Sequence, residues 1–312
     1  MRADEGQEAV LRSAVVTGPT GAIGIALVSL LSSLGVEVYA AVNPESTRKD
    51  RIPKADKVHV VDCDLSEMAD LPEKLGGKTI DAFFHLAWAG ASGPGRNDFT
   101  LQNNNLRYTL EAVEAAETLG VKVFVGAGSQ AEYGRVTEPL RARMPLRPEN
   151  AYGIAKMQAE EMTRAMCRSF GIRHVWPRIL SVYGPYDGER AMIPNLIRTL
   201  KRGEKPALTE GTQIWDYLYS GDAAKALLAL ALRGKDGHAY PLGSGDGRPL
   251  REYVEILRDI VMPGAPLGFG EIPYGDRQVM YLCADISAIT EDTGWKPETS
   301  FADGIRNCLE AF

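Results

Sequence analysis

The chain has 312 residues, 45% of them hydrophobic and 24% charged, with a formal net charge of −6. That length supports a full hydrophobic core in one large domain or two closely joined ones. The mild acidity argues against nucleic acid or an anionic membrane as the main partner.

In chain order, the polar start Met1-Arg-Ala-Asp-Glu-Gly-Gln-Glu8 lacks the apolar centre of a signal peptide. Ser13-Ala-Val-Val-Thr17 reads as a buried strand, followed by a glycine-rich turn and a helix through Ala26 to Leu34. Glu37–Val42, Val58–Val61, Ala82–Ala87 and Val121–Val125 read as further strands, with a helix over Leu101–Leu119 and another over Ala151–Phe170. Strands separated by helices of this length imply parallel units in an α/β, doubly wound sheet, and their near-continuous apolar runs fit a sheet covered on both faces. A sixth strand near His174–Leu180 carries Pro177, which cannot donate to a ladder. Beyond Tyr183, Pro and Gly become frequent, and Gly203-Glu-Lys-Pro-Ala-Leu-Thr209 reads as a turn into a strand. The expected division is a dinucleotide-binding domain over 1–180 and a smaller α/β substrate lobe over 181–312. Segments around 214–240 are expected to return to the first domain.

No run approaches the ~20 apolar residues that span a bilayer. Cys63, Cys167, Cys283 and Cys308 are scattered, with no histidine at metal spacing. They read as reduced thiols of a cytoplasmic protein that needs no metal.

Three segments carry chemistry. Thr17-Gly18-Pro-Thr20-Gly21-Ala22-Ile23-Gly24 follows the first strand and opens the first helix. Its glycines permit a tight turn and close approach to a pyrophosphate, which the helix N-terminus favours. After the second strand, Val42-Asn43-Pro44-Glu45-Ser46-Thr47-Arg48-Lys49 places no carboxylate at the strand tip. A carboxylate there would select NAD; Ser46, Arg48 and Lys49 instead suit the 2′-phosphate of NADP, or form a solvated loop. Third, Tyr152 and Lys156 are four apart, which stacks a phenol and an ammonium on one helix face. A free tyrosine ionises near ~10, and a neighbouring cation is expected to lower that value toward what acid/base work requires.

With these and further segments in order, the chain resembles the extended short-chain dehydrogenase/reductases, and within them the nucleotide-sugar epimerase/dehydratase group. The further segments are Asp62-Cys-Asp64-Leu65, His85-Leu86-Ala87, Asn105-Leu-Arg-Tyr-Thr109 and Gly128-Ser129-Gln130-Ala131-Glu132-Tyr133-Gly134. Val182-Tyr-Gly-Pro185, Trp215-Asp-Tyr-Leu-Tyr-Ser-Gly-Asp222 and Leu242-Gly-Ser-Gly245 complete the set. The resemblance implies that the loop from Gly18 through Gly24 holds the cofactor diphosphate. It implies that Asn43, Asp64 and Leu65 lie at its adenosine end, and Leu86, Ala87 and Ser181 toward its nicotinamide end. Tyr152 then moves the proton at the sugar oxygen, Ser129 bonds that oxygen, and Lys156 binds the nicotinamide ribose and tunes Tyr152. Asn105 is structural or relays protons. His85 reads as a buried, satisfied histidine beside the cofactor segment.

Departures from the group narrow the task. Where the dehydratases carry two acids after the Ser/Thr, this chain has Gln130 and Ala131, so dehydration is disfavoured; Glu132 is one place too far along. The usual diphosphate-binding arginine is Trp215, so Arg277, with Arg190 behind it, is the candidate replacement. Trp215 reads as a stacking wall or as core of the lobe. Gln130 and Ser181 join these as candidate substrate contacts. The combination resembles deoxysugar 4-ketoreductases of the CDP-abequose synthase type. The expected activity is therefore 4-keto reduction of a 4-keto-6-deoxy nucleotide-diphosphate sugar with NADP, NAD being possible. Alternatives are 4-epimerisation with retained NAD, reduction of a non-sugar ketone, and an NADP-sensing binding protein. Apolar stripes on the two long helices, with Met162, Met166 and Phe170 at spacing four, suit core packing or, by resemblance, a homodimer interface.

Overall fold

The structure, a computed structural model, describes residues 11–188 and 191–310. Seven parallel strands form the main sheet in the order β3-β2-β1-β4-β5-β7-β11. They are β1 (Ser13–Thr17), β2 (Glu37–Val42), β3 (Val58–Asp62), β4 (Ala82–His85), β5 (Val123–Gly126), β7 (Arg173–Ile179) and β11 (His238–Leu242). A short β6 (Gly128–Ser129) continues past the end of β5 and pairs with β7. Outside it lie a parallel pair, β8 (Ser181–Tyr183) with β10 (Tyr217–Tyr219), and an antiparallel pair, β9 (Ile214–Trp215) with β12 (Arg248–Pro249).

The period of two along each strand decides which helix it meets. Ala14, Val16, Val38, Phe84 and Val125 face α1 (Ala22–Ser33) and α6 (Ser220–Arg233) through Leu27, Leu31, Leu227 and Leu230. Val15, Phe83 and Phe124 face the opposite way, onto α2 (Leu71–Lys74), α3 (Phe99–Thr118) and α4 (Ala151–Phe170). Asp98 caps α3 by accepting from Leu101 N at 3.0 Å, and Asn150 caps α4 by accepting from Gly153 N at 2.8 Å. Gly171, at φ 71°, ends α4 in the left-handed region. A second core joins Tyr183 with α5 (Met192–Lys201), α7 (Leu250–Val261) and α9 (Phe301–Leu309), while α8 (Ser287–Thr293) packs on the first core through Ile289. Residues 220–242 thus pack on the main sheet, through α6 and β11.

The expected sixth strand forms as β7 in spite of its proline, and one other segment differs from the sequence reading. Pro177 lies inside the sheet, and its missing N–H falls in a gap of the ladder. β5 pairs with β7 up to Val125 and Val175, and pairing resumes through β6 at Gly128 and Arg178. The stretch over Ala207–Thr209 makes only a single bridge, Ala207 with Gly268, in place of a strand. Cys63, Cys167, Cys283 and Cys308 are all free and buried. Met162 and Phe170 are exposed on α4, 45% and 42%, whereas Met166 packs against the sheet-facing core. Among the described residues no helix is long and apolar enough to cross a membrane.

A buried charge network ties β7 to the turn after β6 and to α4. Arg178 donates from Nε to Glu132 at 2.8 Å and from Nη2 to Glu160 at 2.6 Å. Its Nη1 donates to the Tyr133 hydroxyl at 3.1 Å and the Ala142 carbonyl at 3.0 Å. Removing the cation strands two buried carboxylates. Arg178→Met is therefore expected to lower stability in urea by about 3–5 kcal/mol. A loss below ~1 kcal/mol would show that the network adds little to the fold.

Candidate functional site

The glycine loop from Gly18 to Gly24 crosses the carboxyl ends of β1 and β4, where open α/β sheets place ligands. Gly18 adopts φ +68°, and a Cβ there would lie 2.9 Å from the Ala87 amide nitrogen, so only glycine lets the loop pass β4. A Cβ on Gly24 would collide with the Gly18 carbonyl, so that glycine closes the loop onto the helix. Gly21 begins α1 without a side-chain cap, and a Cβ there would meet nothing nearer than 3.8 Å. The N–H groups of Ala22 and Ile23 therefore open an uncapped first turn suited to an anion.

Above this loop runs a groove of about 550 Å³. It is lined by Gly18, Thr20, Gly21, Asn43, Ser46, Arg48, Asp64, Leu65, Leu86 and Ala87, so these expected cofactor residues are brought together. Asn43 donates to Asp64 at 2.6 Å. Hydrogen bonds from Ser66 hold the Asp64 carboxyl below its usual range. Lys49 turns away, paired with Asp62 at 2.5 Å, which leaves Arg48 as the groove's cation from this segment. Cradle, uncapped helix and groove fit a dinucleotide.

At the base of the groove, Thr17 Oγ1 accepts from the Leu86 and Ala87 amides, both at 3.1 Å. His85 lies between Thr17 and Thr109 at 3.2 and 3.3 Å, and burial pushes its imidazole down to about 3. It is a neutral packing group. Asn105 clamps the Ala89 peptide, accepting from its N at 2.9 Å and donating to its O at 2.8 Å.

Tyr152 and Lys156 are both buried, 8% and 3% exposed. Lys156 Nζ donates to the Ala127 carbonyl at 2.6 Å and lies 3.6 Å from the centre of the Trp88 ring. It stands 5.9 Å from the Tyr152 ring. Burial pulls the ammonium down to about 7. The same burial raises the Tyr152 phenol above its ordinary value, opposed by a hydrogen bond with Ser129 and by the Arg96 charge. The acidifying neighbour expected from the spacing is thus outweighed by desolvation. Ser129 also accepts from Ala131 N at 3.2 Å, and Glu132 points inward to Ser129 N and Trp176.

Two residues escaped the sequence reading. Trp88 meets Tyr152 edge-on at 6.1 Å, and Arg96 lies 4.3 Å above the Tyr152 ring. Both follow β4, on a segment that Gln102 pins by accepting from Trp88 Nε1 at 2.7 Å and donating to the Gly95 carbonyl at 2.8 Å. Their position after a strand's carboxyl end was the available signal.

The expected substrate residues divide between two cavities. Gln130 and Arg277 line one of about 190 Å³; Trp215 lines another of about 350 Å³, walled mostly by apolar residues such as Leu196, Leu208 and Leu250. Trp215 donates from Nε1 to the Ser181 hydroxyl at 2.9 Å, so Ser181 is held by Trp215. Arg190 lies outside the described residues.

A sequence model of the NAD dependent epimerase/dehydratase family matches residues 14–243. The chain belongs to that family. A UDP-glucose 4-epimerase of Azospirillum brasilense is 27% identical, with 96% of this chain and 91% of the relative covered. By fold, a Thermotoga maritima UDP-glucose 4-epimerase solved with UDP-glucose superposes with a TM-score of 0.86 at 22% identity, covering 96% and 98% of the two chains. The Thermus thermophilus UDP-glucose 4-epimerase complex with NAD gives 0.83 at 23%, covering 96% and 98%. As in other epimerase/dehydratase proteins, the fold is an extended short-chain dehydrogenase/reductase built on a parallel sheet.

The Gly24 contact makes the loop testable. Gly24→Ala is expected to weaken dinucleotide binding by tenfold or more, roughly 1.4 kcal/mol, in a fluorescence titration. Unchanged affinity would mean that the loop does not shape the cofactor cradle.

Proposed function

We propose that the protein is a nucleotide-diphosphate-sugar 4-epimerase that uses a retained nicotinamide dinucleotide. The observation that carries this reading is the buried Tyr152 phenol, held near Ser129 and one helical turn before Lys156, whose ammonium lies 3.6 Å from the centre of the groove-lining Trp88 ring. The 4-epimerase names of its relatives support this reading over the 4-keto reduction favoured by sequence alone. Dehydration lacks its acids: Gln130 and Ala131 hold those positions, and Glu132 is engaged by Arg178.

When bound, the dinucleotide supplies the nicotinamide that accepts a hydride from the sugar carbinol carbon and later returns it. Tyr152 takes the hydroxyl proton as the carbonyl forms and gives it back as the carbinol is remade on the opposite face. Ser129 bonds the reacting oxygen. Lys156, beneath the Trp88 ring, holds the ribose, and its protonated form, present below about pH 7, favours the phenolate. The apolar cavity with Trp215 receives the nucleotide end. Glycine loop, Asn43, Asp64 and Leu65 hold the diphosphate and adenosine. Exposed Met162 and Phe170 on α4 support a homodimer across the α3 and α4 face.

Reduction of a 4-keto sugar is the second reading, favoured by Ser46 and Arg48 lining the groove without a carboxylate at the tip of β2. On that account NADP is the preferred dinucleotide. Arg48→Ala is then expected to weaken NADP about tenfold more than NAD, as read by dinucleotide titration.

Interconversion of UDP-glucose and UDP-galactose with no net NADH or NADPH change is the expected result. Steady NADPH consumption with a 4-keto sugar, and no interconversion, overturns epimerisation. Tyr152→Phe is expected to cut kcat by roughly 10²–10⁴. Because burial raises the phenol, its basic form grows as pH rises. The rate of the carbinol-oxidising step should therefore climb from pH ~7 toward ~10. A flat profile would remove the phenolate as the base.

A further inference from the structure

The cavity of about 190 Å³ opens beside Gln130 and Ala131, immediately after Ser129, and reaches the N-terminal end of α4 at Asn150. Its walls include the guanidinium residues Arg96, Arg135 and Arg277 but only one carboxylate, Glu149. Arg135 donates to both Glu149 oxygens at 3.0 Å, so that pair cancels. Arg96 donates to the Ala91 carbonyl at 3.0 Å and lies over the Tyr152 ring. Among the described residues neither Arg96 nor Arg277 makes a salt bridge, though the Arg277 charge also reaches Glu149. Three guanidinium groups against one carboxylate leave an excess of two positive charges, which share one small cavity with the positive end of a 20-residue helix.

We propose that this cavity binds an anionic substituent, a carboxylate, on the sugar ring whose carbinol faces Tyr152. The inference rests on the nucleotide-sugar reading above and specifies its substrate class as an acidic sugar. Arg96 spans from the cavity to the Tyr152 ring, and Gln130 adjoins Ser129, which places the cavity at the reacting ring. The apolar cavity lined by Trp215 is separate, and it suits the base. A planar guanidinium matches a carboxylate with two parallel hydrogen bonds.

The test is isothermal titration of the whole protein, with NAD present, by UDP-glucuronate and by UDP-glucose. The acidic sugar is expected to bind at least tenfold more tightly, the least a charge-assisted hydrogen bond contributes, roughly 1.5 kcal/mol. Arg277→Gln and Arg96→Gln should each shrink that ratio, and Arg277→Lys should retain part of it. Unaltered urea midpoints would confirm that the variants fold. Equal affinity for both sugars in the unaltered protein overturns the inference alone. So does an equal loss for both in the variants, because then the arginines hold the diphosphate common to the two. If neither sugar binds while NAD does, the inference and the nucleotide-sugar reading fall together.

Discussion

A lysine ammonium in a dry site is the constraint around which this protein is arranged. Lys156 is 3% exposed, and its charge is met by one carbonyl, Ala127 at 2.6 Å, and the face of one indole, Trp88 at 3.6 Å. An ammonium so enclosed loses much of its hydration, and a ring face returns only part of it. Its pKa accordingly falls to about 7, with Glu132 the charge that opposes the fall. Because that value lies below the unfolded one near ~10.4, the chain binds more protons at this group when unfolded. Stability from Lys156 therefore rises with pH between those values.

Everything near the site serves to hold that amine in place. The Ala127 carbonyl is available because the strand breaks there, between β5 and β6, and its own N–H bonds back to the His85 carbonyl at 3.0 Å. Gly126 and Gly128 flank the break, and a Cβ on either would collide with the Trp176 ring. Pro177 faces the same gap, where no donor is needed. Below, Arg178 draws Glu132 and Glu160 into the core and so fixes the start of the Ser129 turn against α4. On the other side, Gln102 holds Trp88 over the amine. Packing, strand register and the ion network thus converge on one helix face carrying Tyr152 and Lys156.

Much of this was legible in the chain. The strands were readable because both faces of each are covered, so apolar runs such as Ser13–Thr17 and Glu37–Val42 stand out. The helix over Ala151–Phe170 was readable from its apolar stripe, and the structure adds an asparagine cap and a terminal glycine. The loop glycines, Ser129, Tyr152 and Lys156 followed from ordered motifs. What spacing did not convey was electrostatics. Four residues on a helix say that two groups are neighbours, but not that both are desolvated, and desolvation reversed the expected shift of Tyr152. For Arg96 and Trp88 the only signal was their position after β4, since their contact with Tyr152 depends on how that segment folds back. Trp215, left between wall and core, lines a cavity and bonds Ser181.

The claim that burial sets the charge of Lys156 is open to direct measurement. Carbon-13 NMR of labelled lysine, with Lys156→Met to assign the signal, gives the titration of this one amine in the whole protein. A midpoint at about 7 is the predicted result. A midpoint near ~10.4, that of a solvated lysine, would contradict the account.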